Sequence, residues 1–304
     1  MDCEFKGNSS DGGGALYVGS NAVNVVDCVF EENRQTGWGS GAALFVNGAS
    51  PLAVVSNCVF RSNVATNYSS RTIVSNAHLV DCIVTNHIVN GAIVQNCNLT
   101  RCYIVDNIST VGSGVDLDDV KTEDIGAMSR TNVNSVFVGN HLTETTCTTG
   151  DKVIINCTYY ANRHDSSNFG SPVSNCRVWN SLFVDNIIAG VKRDVRRLDH
   201  QGNVTQRYLT NCVFKAVGSD FDANAYGYAM CKVEPLFKFY PSANGGEFDI
   251  KSRSPAFNAG VLEDWMEPFV SGGDFAGRAR VKYDAIDVGA LECQYVPPFA
   301  VILR

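Results

Sequence analysis

One six-residue phrase returns along this chain: Cys or Ser, then Phe, Tyr or Ile two places on, then Asn three places further. It reads CEFKGN at Cys3–Asn8, CVFEEN at Cys28–Asn33, CVFRSN at Cys58–Asn63 and CYIVDN at Cys102–Asn107. It continues as SVFVGN at Ser135–Asn140, CTYYAN at Cys157–Asn162 and SLFVDN at Ser181–Asn186, with degraded copies opening at Cys82 and Cys212. Successive starts lie 20–33 residues apart, the period range of a solenoid. Inside each copy the periodicity is two: Val26, Cys28 and Phe30 fall on one side, Asp27 and Val29 on the other. Short alternating runs between Asn, Gly and Ser read as strands and turns. A second strand signal follows a glycine in each copy (GGGALYV, GSGAALFV, NGAIV), and a short third run precedes the next cysteine.

Three short strands per repeat predict an all-β, right-handed parallel β-helix of the pectate-lyase-like kind. No coil buries its own apolar face, so stacked neighbours make the core together. Cys28 then lies over Cys58 and Phe30 over Phe60, while Asn33, Asn63, Asn107, Asn140, Asn162 and Asn186 form a column. Asn tolerates left-handed backbone at a corner, and its amide satisfies turn backbone or the next Asn. Nine coils at about 4.8 Å per strand predict a rod of about 40 Å.

Composition narrows the function classes. A net charge of −7 is the opposite of the basic footprint of a nucleic-acid binder. No apolar run approaches the roughly 20 residues of a transmembrane helix. The start, MDCEFKGNSS, has no secretory leader pattern and enters a repeat at once; the expectation is a chain cut from a longer precursor. Eight of the 12 cysteines directly follow Asp or Asn. They lack zinc spacing and read as small inward-facing apolar groups at one recurring position. Cys147 and Cys293 stand outside that ladder and are the candidates for oxidation.

From Cys231 the pattern changes. Pro235–Phe237, Gly246–Ile250, Ser254–Gly260, Asp274–Arg278 (DFAGR) and Asp287–Glu292 (DVGALE) follow one another. Together they resemble the C-terminal segment of the choice-of-anchor Q family of bacterial surface β-helix proteins. The FxxN and GGA phrases of the first half resemble, over shorter stretches, repeats of polymorphic outer-membrane proteins. The resemblance implies export and a cell-surface or extracellular life near carbohydrate. The chain divides accordingly into coils (1–230), a C-terminal segment capping the same domain (231–296) and an apolar tail (297–304). In the cap, Gly260 is a structural position closing the Ser254–Gly260 motif, and Asp274, Arg278, Asp287 and Glu292 predict a buried ionic network, with calcium ligation by the same acids as the alternative.

Two stretches break the repeat and carry candidate chemistry. GSGVDLDDVKTED, from 112, places Asp116, Asp118 and Asp119 where calcium would bind. VKRDVRRLDHQGN, from 191, gathers Lys192, Arg193, Arg196, Arg197 and His200, the one dense basic cluster in an acidic chain, suited to an anionic glycan. Each also reads as a solvated loop. Trp38 and Tyr68, in turn-rich stretches, are candidates for stacking on sugars. The histidines His78, His87, His141 and His164 read as surface or turn residues. Fold does not decide activity. The leading expectation is an exported surface protein that binds polysaccharide, adheres or builds structure. The alternative is a lyase cleaving an acidic glycan by β-elimination through the 192–200 cations. A third reading is end-to-end self-association into a filament.

Overall fold

The computed structural model describes residues 2–11, 14–19, 23–37, 39, 41–47, 53–66, 72–110, 115–116, 130–143, 148–149, 152–166, 171–174, 176–195, 208–218, 229–231, 234–235, 237, 248–282 and 284–294. They form a right-handed parallel β-helix. Each coil has four sides where three were expected. Among the described residues the sheets hold ten, nine, seven and eight strands, here called faces 1 to 4 in the order the chain meets them. Face 1 begins at Cys3–Lys6, face 2 at Ser9–Ser10, face 3 at Leu16–Val18 and face 4 at Val25–Val26. Among the described residues every pairing within these four sheets is parallel except Ile187–Ile188 with Val191–Lys192, a hairpin at the end of face 2. Ten strands on face 1 make a rod of about 43 Å at about 4.8 Å per step.

The reason for four sides is clearest where the chain has no insertions. From Leu79 the core residues come at every fifth position: Leu79, Val84, Val89, Val94, Leu99, Ile104. A second inward set precedes each by two: Ala77, Cys82, His87, Ala92, Cys97, Cys102. Between sides the backbone turns through left-handed residues, Asn76, Asp81, Asn86, Asn96, Arg101 and Asp106, at φ of 50–61°. Asn and Asp adopt this conformation more readily than most residues. Five residues per side and four sides give the shortest coil.

Aromatic rings fill the interior behind face 1. Phe5, Phe30 and Phe60 stack with centroids 4.7 Å apart. Val84 and Ile104 interrupt the column, and Phe137, Tyr159, Phe183 and Phe214 resume it at 4.5–5.0 Å. The cysteines occupy two positions. Cys3, Cys28, Cys58, Cys82, Cys102, Cys157 and Cys212 run beside the aromatic column, with Ser135 and Ser181 as substitutes. Cys97 and Cys176 instead lead into face 4, where Cys97 Sγ accepts a hydrogen bond from Ala77 N. Cys293 is buried, and Cys147 lies outside the described residues. Burial pushes the thiols of Cys97 and Cys157 up, to about 11 and about 12, which keeps them protonated and unreactive.

The repeated asparagines form a polar ladder inside the corner between faces 1 and 2. Asn33 donates from both its backbone N and its Nδ2 to Asn63 Oδ1, at 2.9 Å each, and from Nδ2 to Phe5 O. Asn107, Asn140 and Asn162 repeat this pattern toward Asn140, Asn162 and Asn186. These asparagines do not carry the left-handed backbone expected of them. It falls on the residue before each: Glu32, Ser62, Asp106, Ala161 and Asp185. The ladder Asn is thus selected for its amide. Two rungs differ: His87 accepts from Asn63 N through Nδ1, and Asp194 ends the ladder by accepting both Asn186 donors.

The C-terminal segment caps the rod along its flank. It covers the outer surface of face 1 from Tyr103 to Val213, burying Val136, Val138, Leu182 and Val184 beneath Phe248, Ile250, Val288 and Leu291. Those strands are therefore buried on both sides and read as continuous apolar runs. The corner between faces 4 and 1 clips it in place. Arg101 donates to Gly272 O, Asn134 to Gly273 O and Asn211 to Ala259 O. Asn180 donates to Val261 O and accepts from Val261 N, each at 2.8 Å.

Candidate functional site

Most of the site candidates drawn from the sequence, namely Trp38, Tyr68, Asp118, Asp119, Arg196, Arg197 and His200, lie outside the described residues. Asp116 falls in the strand Val115–Asp116 of face 3, with its Cα in register with Gln95. Lys192 is exposed on the hairpin that closes face 2, and Arg193 is half-buried beside it. The basic stretch also contains Asp194, the buried terminator of the asparagine ladder. His87 and His164 are fully buried, against the surface placement expected of them, because each takes an inward position of face 2 or its corner. His141 does reach the surface, 2.7 Å from Asp165.

A surface feature that sequence reasoning passed over stands on face 3. Tyr17 and Phe45 are register partners, both on the outward side of their strands. Their rings stack at 5.7 Å with 25° between planes, and Tyr17 is 55% exposed. Alternation in ALYV and ALFV is the sequence signal that could have placed both rings on the outer side. The register column then runs through Ser75, Gln95 and the backbone position of Asp116. Ser75 is spoken for by Thr72, whose hydroxyl lies 2.6 Å away, while Gln95 is half-buried at the surface. An exposed Tyr17 and a half-buried Phe45 thus share one outer column with the fully buried Ser75 and the half-buried Gln95.

The flank segment holds the charged chemistry. Asp274 is fully buried and accepts from Ala276 N, Arg278 N, Arg278 Nε and Glu292 N, at 2.8–2.9 Å. Arg278 also clamps Asp249. Asp287 accepts from Asn258 N and Cys293 N, both at 2.6 Å. With their oxygens turned to N–H donors, these acids hold the segment's own backbone instead of presenting a calcium cage. Arg280, absent from the expected network, is fully buried with Nε 3.8 Å from Glu292. Burial pushes the Glu292 carboxyl up to about 8. Gly260 passes so close to Ile286 that a Cβ would meet its side chain at 2.6 Å. Leu262, Glu263, Asp264, Glu267, Val270 and Arg280 line a cleft of about 440 Å³ on this segment.

Among the described residues no group of three or more His, Cys, Asp or Glu is placed to hold a metal ion, and no helix is long and apolar enough to cross a membrane. No family model matches the chain, so the choice-of-anchor Q resemblance rests on the motifs of the tail alone. No curated protein matches it either. Among solved structures, the chain is similar to QnrB1, a plasmid-mediated fluoroquinolone resistance protein, at 10% identity over 70% of this chain and 92% of that one, with a TM-score of 0.20. A match at that level carries no argument about activity.

Proposed function

We propose that this chain is an exported, cell-surface β-helix that binds polysaccharide along an outer face and does not cleave it. The observation carrying this reading is the Tyr17–Phe45 pair, two stacked rings at the surface of a rigid sheet. Ring faces are electron-rich, and the C–H groups on one side of a pyranose are weakly positive, so sugars stack on such rings. Gln95, two strands beyond Phe45 in the same register column, supplies a half-buried polar position about 10 Å away. Stacked coils hold these positions before any ligand arrives, which lowers the ordering cost of binding. Buried thiols that stay protonated suit an exported protein rich in cysteine. The tail motifs support the surface location.

Affinity electrophoresis through gels containing neutral and acidic polysaccharides tests the reading. The wild-type protein is expected to be retarded by at least one polymer. Tyr17→Ala and Phe45→Ala should each weaken that retention about tenfold, or about 1.4 kcal/mol, while leaving circular dichroism unchanged. Equal retardation of wild type and both variants would remove the aromatic pair from the account.

A further inference from the structure

The interior of the rod contains one lysine–amide contact that the binding reading does not use. Asn132 lies at an inward position of the strand Thr131–Val133 on face 4, and Lys152 leads into the next strand of that face, Val153–Ile155. The two strands are direct neighbours, with Asn132 in register with Ile154. Both side chains are fully buried. Lys152 Nζ donates to Cys97 O at 2.9 Å and lies 3.2 Å from Asn132 Oδ1. Asn132 is otherwise flanked in its column by Leu99 and Ile154. Its Nδ2 has no hydrogen-bond partner.

We propose that Lys152 and Asn132 condense to an intramolecular isopeptide bond that staples adjacent coils. Burial disfavours a charged ammonium relative to the free amine, and the amine is the nucleophilic form. Its lone pair attacks Asn132 Cγ, forming the Nζ–Cγ bond. The tetrahedral intermediate collapses with cleavage of the Cγ–Nδ2 bond, and a proton from Nζ passes to the departing nitrogen, which leaves as ammonia. One amide replaces another, so no oxidant, reductant or cofactor enters the balance. The fold supplies the two things the step requires: contact maintained by the packed core, and exclusion of the water that would compete for Cγ. Loss of Nδ2 also removes an unsatisfied buried donor, a group that is costly to keep. The product closes a covalent loop between residues 132 and 152, limiting the unfolded chain as any cross-link does.

Intact-protein mass spectrometry tests this on the full chain. The wild type is expected to be lighter than its sequence mass by one ammonia, with digestion yielding a branched peptide that joins the Asn132 and Lys152 fragments. Asn132→Asp is expected to condense with loss of one water, giving the same final mass as the wild type. Lys152→Arg and Asn132→Ala should keep their full sequence masses. Folded wild-type protein at its full sequence mass would overturn the proposal, as would loss of ammonia that persists in Asn132→Ala.

Discussion

His87 and Asp194 are the two residues at which the asparagine ladder changes chemistry, and each ties stability to pH. Burial holds the His87 imidazole neutral by lowering its pKa from 6.5 to about 3. The folded state therefore binds fewer protons than the unfolded chain between those values. The resulting stability is present above pH 6.5 and is lost as pH falls toward 3. At pH 5 the loss is about 2 kcal/mol, at about 1.4 kcal/mol per pH unit below 6.5. His87→Asn restores a regular rung, and chemical denaturation at pH 5 and 8 should show that variant losing less stability on acidification than the wild type. Asp194 runs the other way. Burial pushes its carboxyl from 3.8 up to about 7, although three N–H groups donate to it. Its contribution is present below about pH 4 and lost as pH rises to about 7, by up to about 4 kcal/mol. Asp194→Asn gives up the Ala216 hydrogen bond, about 1 kcal/mol. It should also flatten the stability slope between pH 4 and 7. An unchanged slope would place that titration elsewhere.

At the scale of the element, a side of five residues is the unit, and the sequence hides it unevenly. Between Asn76 and Ser109 the spacing of Leu79, Val84, Val89, Val94, Leu99 and Ile104 is legible once a period of five is tried. The recurring Cys–Phe–Asn phrase draws attention to one side and its corner, and so suggests three strands per coil. Elsewhere longer intervals, such as the 33 residues from Cys102 to Ser135, mask the period. The flank segment left a clearer mark. Outward positions of face 1 are a mixed set in the first coils, Glu4, Lys6, Val29, Glu31, Val59 and Arg61, but Val136, Val138, Leu182 and Val184 further on. A change from mixed to wholly apolar outward positions marks the coils that something covers. Asn180 fastens that cover at two points. Asn180→Ala should raise amide hydrogen exchange across 259–273 by roughly five- to thirtyfold, equivalent to about 1–2 kcal/mol, with the coil strands unaffected. Equal exchange in both proteins would mean that the apolar contacts alone hold the flank.

For the whole molecule, a repeat that stacks like on like makes the architecture readable from sequence, because each coil restates the same inside. Function has no such redundancy. Tyr17 and Phe45 carry an outward parity signal, yet single aromatics in turns, Trp38 and Tyr68, drew more attention because loops are where sites usually sit. Arg280 was hidden for a related reason: only the fold reveals that it turns inward two residues after Arg278. The rod with its flank cover is thus a rigid scaffold with one aromatic outer face, and the account stands on that face binding glycan without turnover. The most direct measurement is to incubate the folded protein with a panel of pectic, alginate, glycosaminoglycan and neutral polymers, with and without calcium. Polymer retention and ultraviolet absorbance of unsaturated uronate products are then followed together. The account predicts retention by at least one polymer, weakened about tenfold in Tyr17→Ala, with a flat absorbance trace throughout. Rising absorbance would establish a lyase instead, and absence of retention on every polymer would contradict the glycan reading itself.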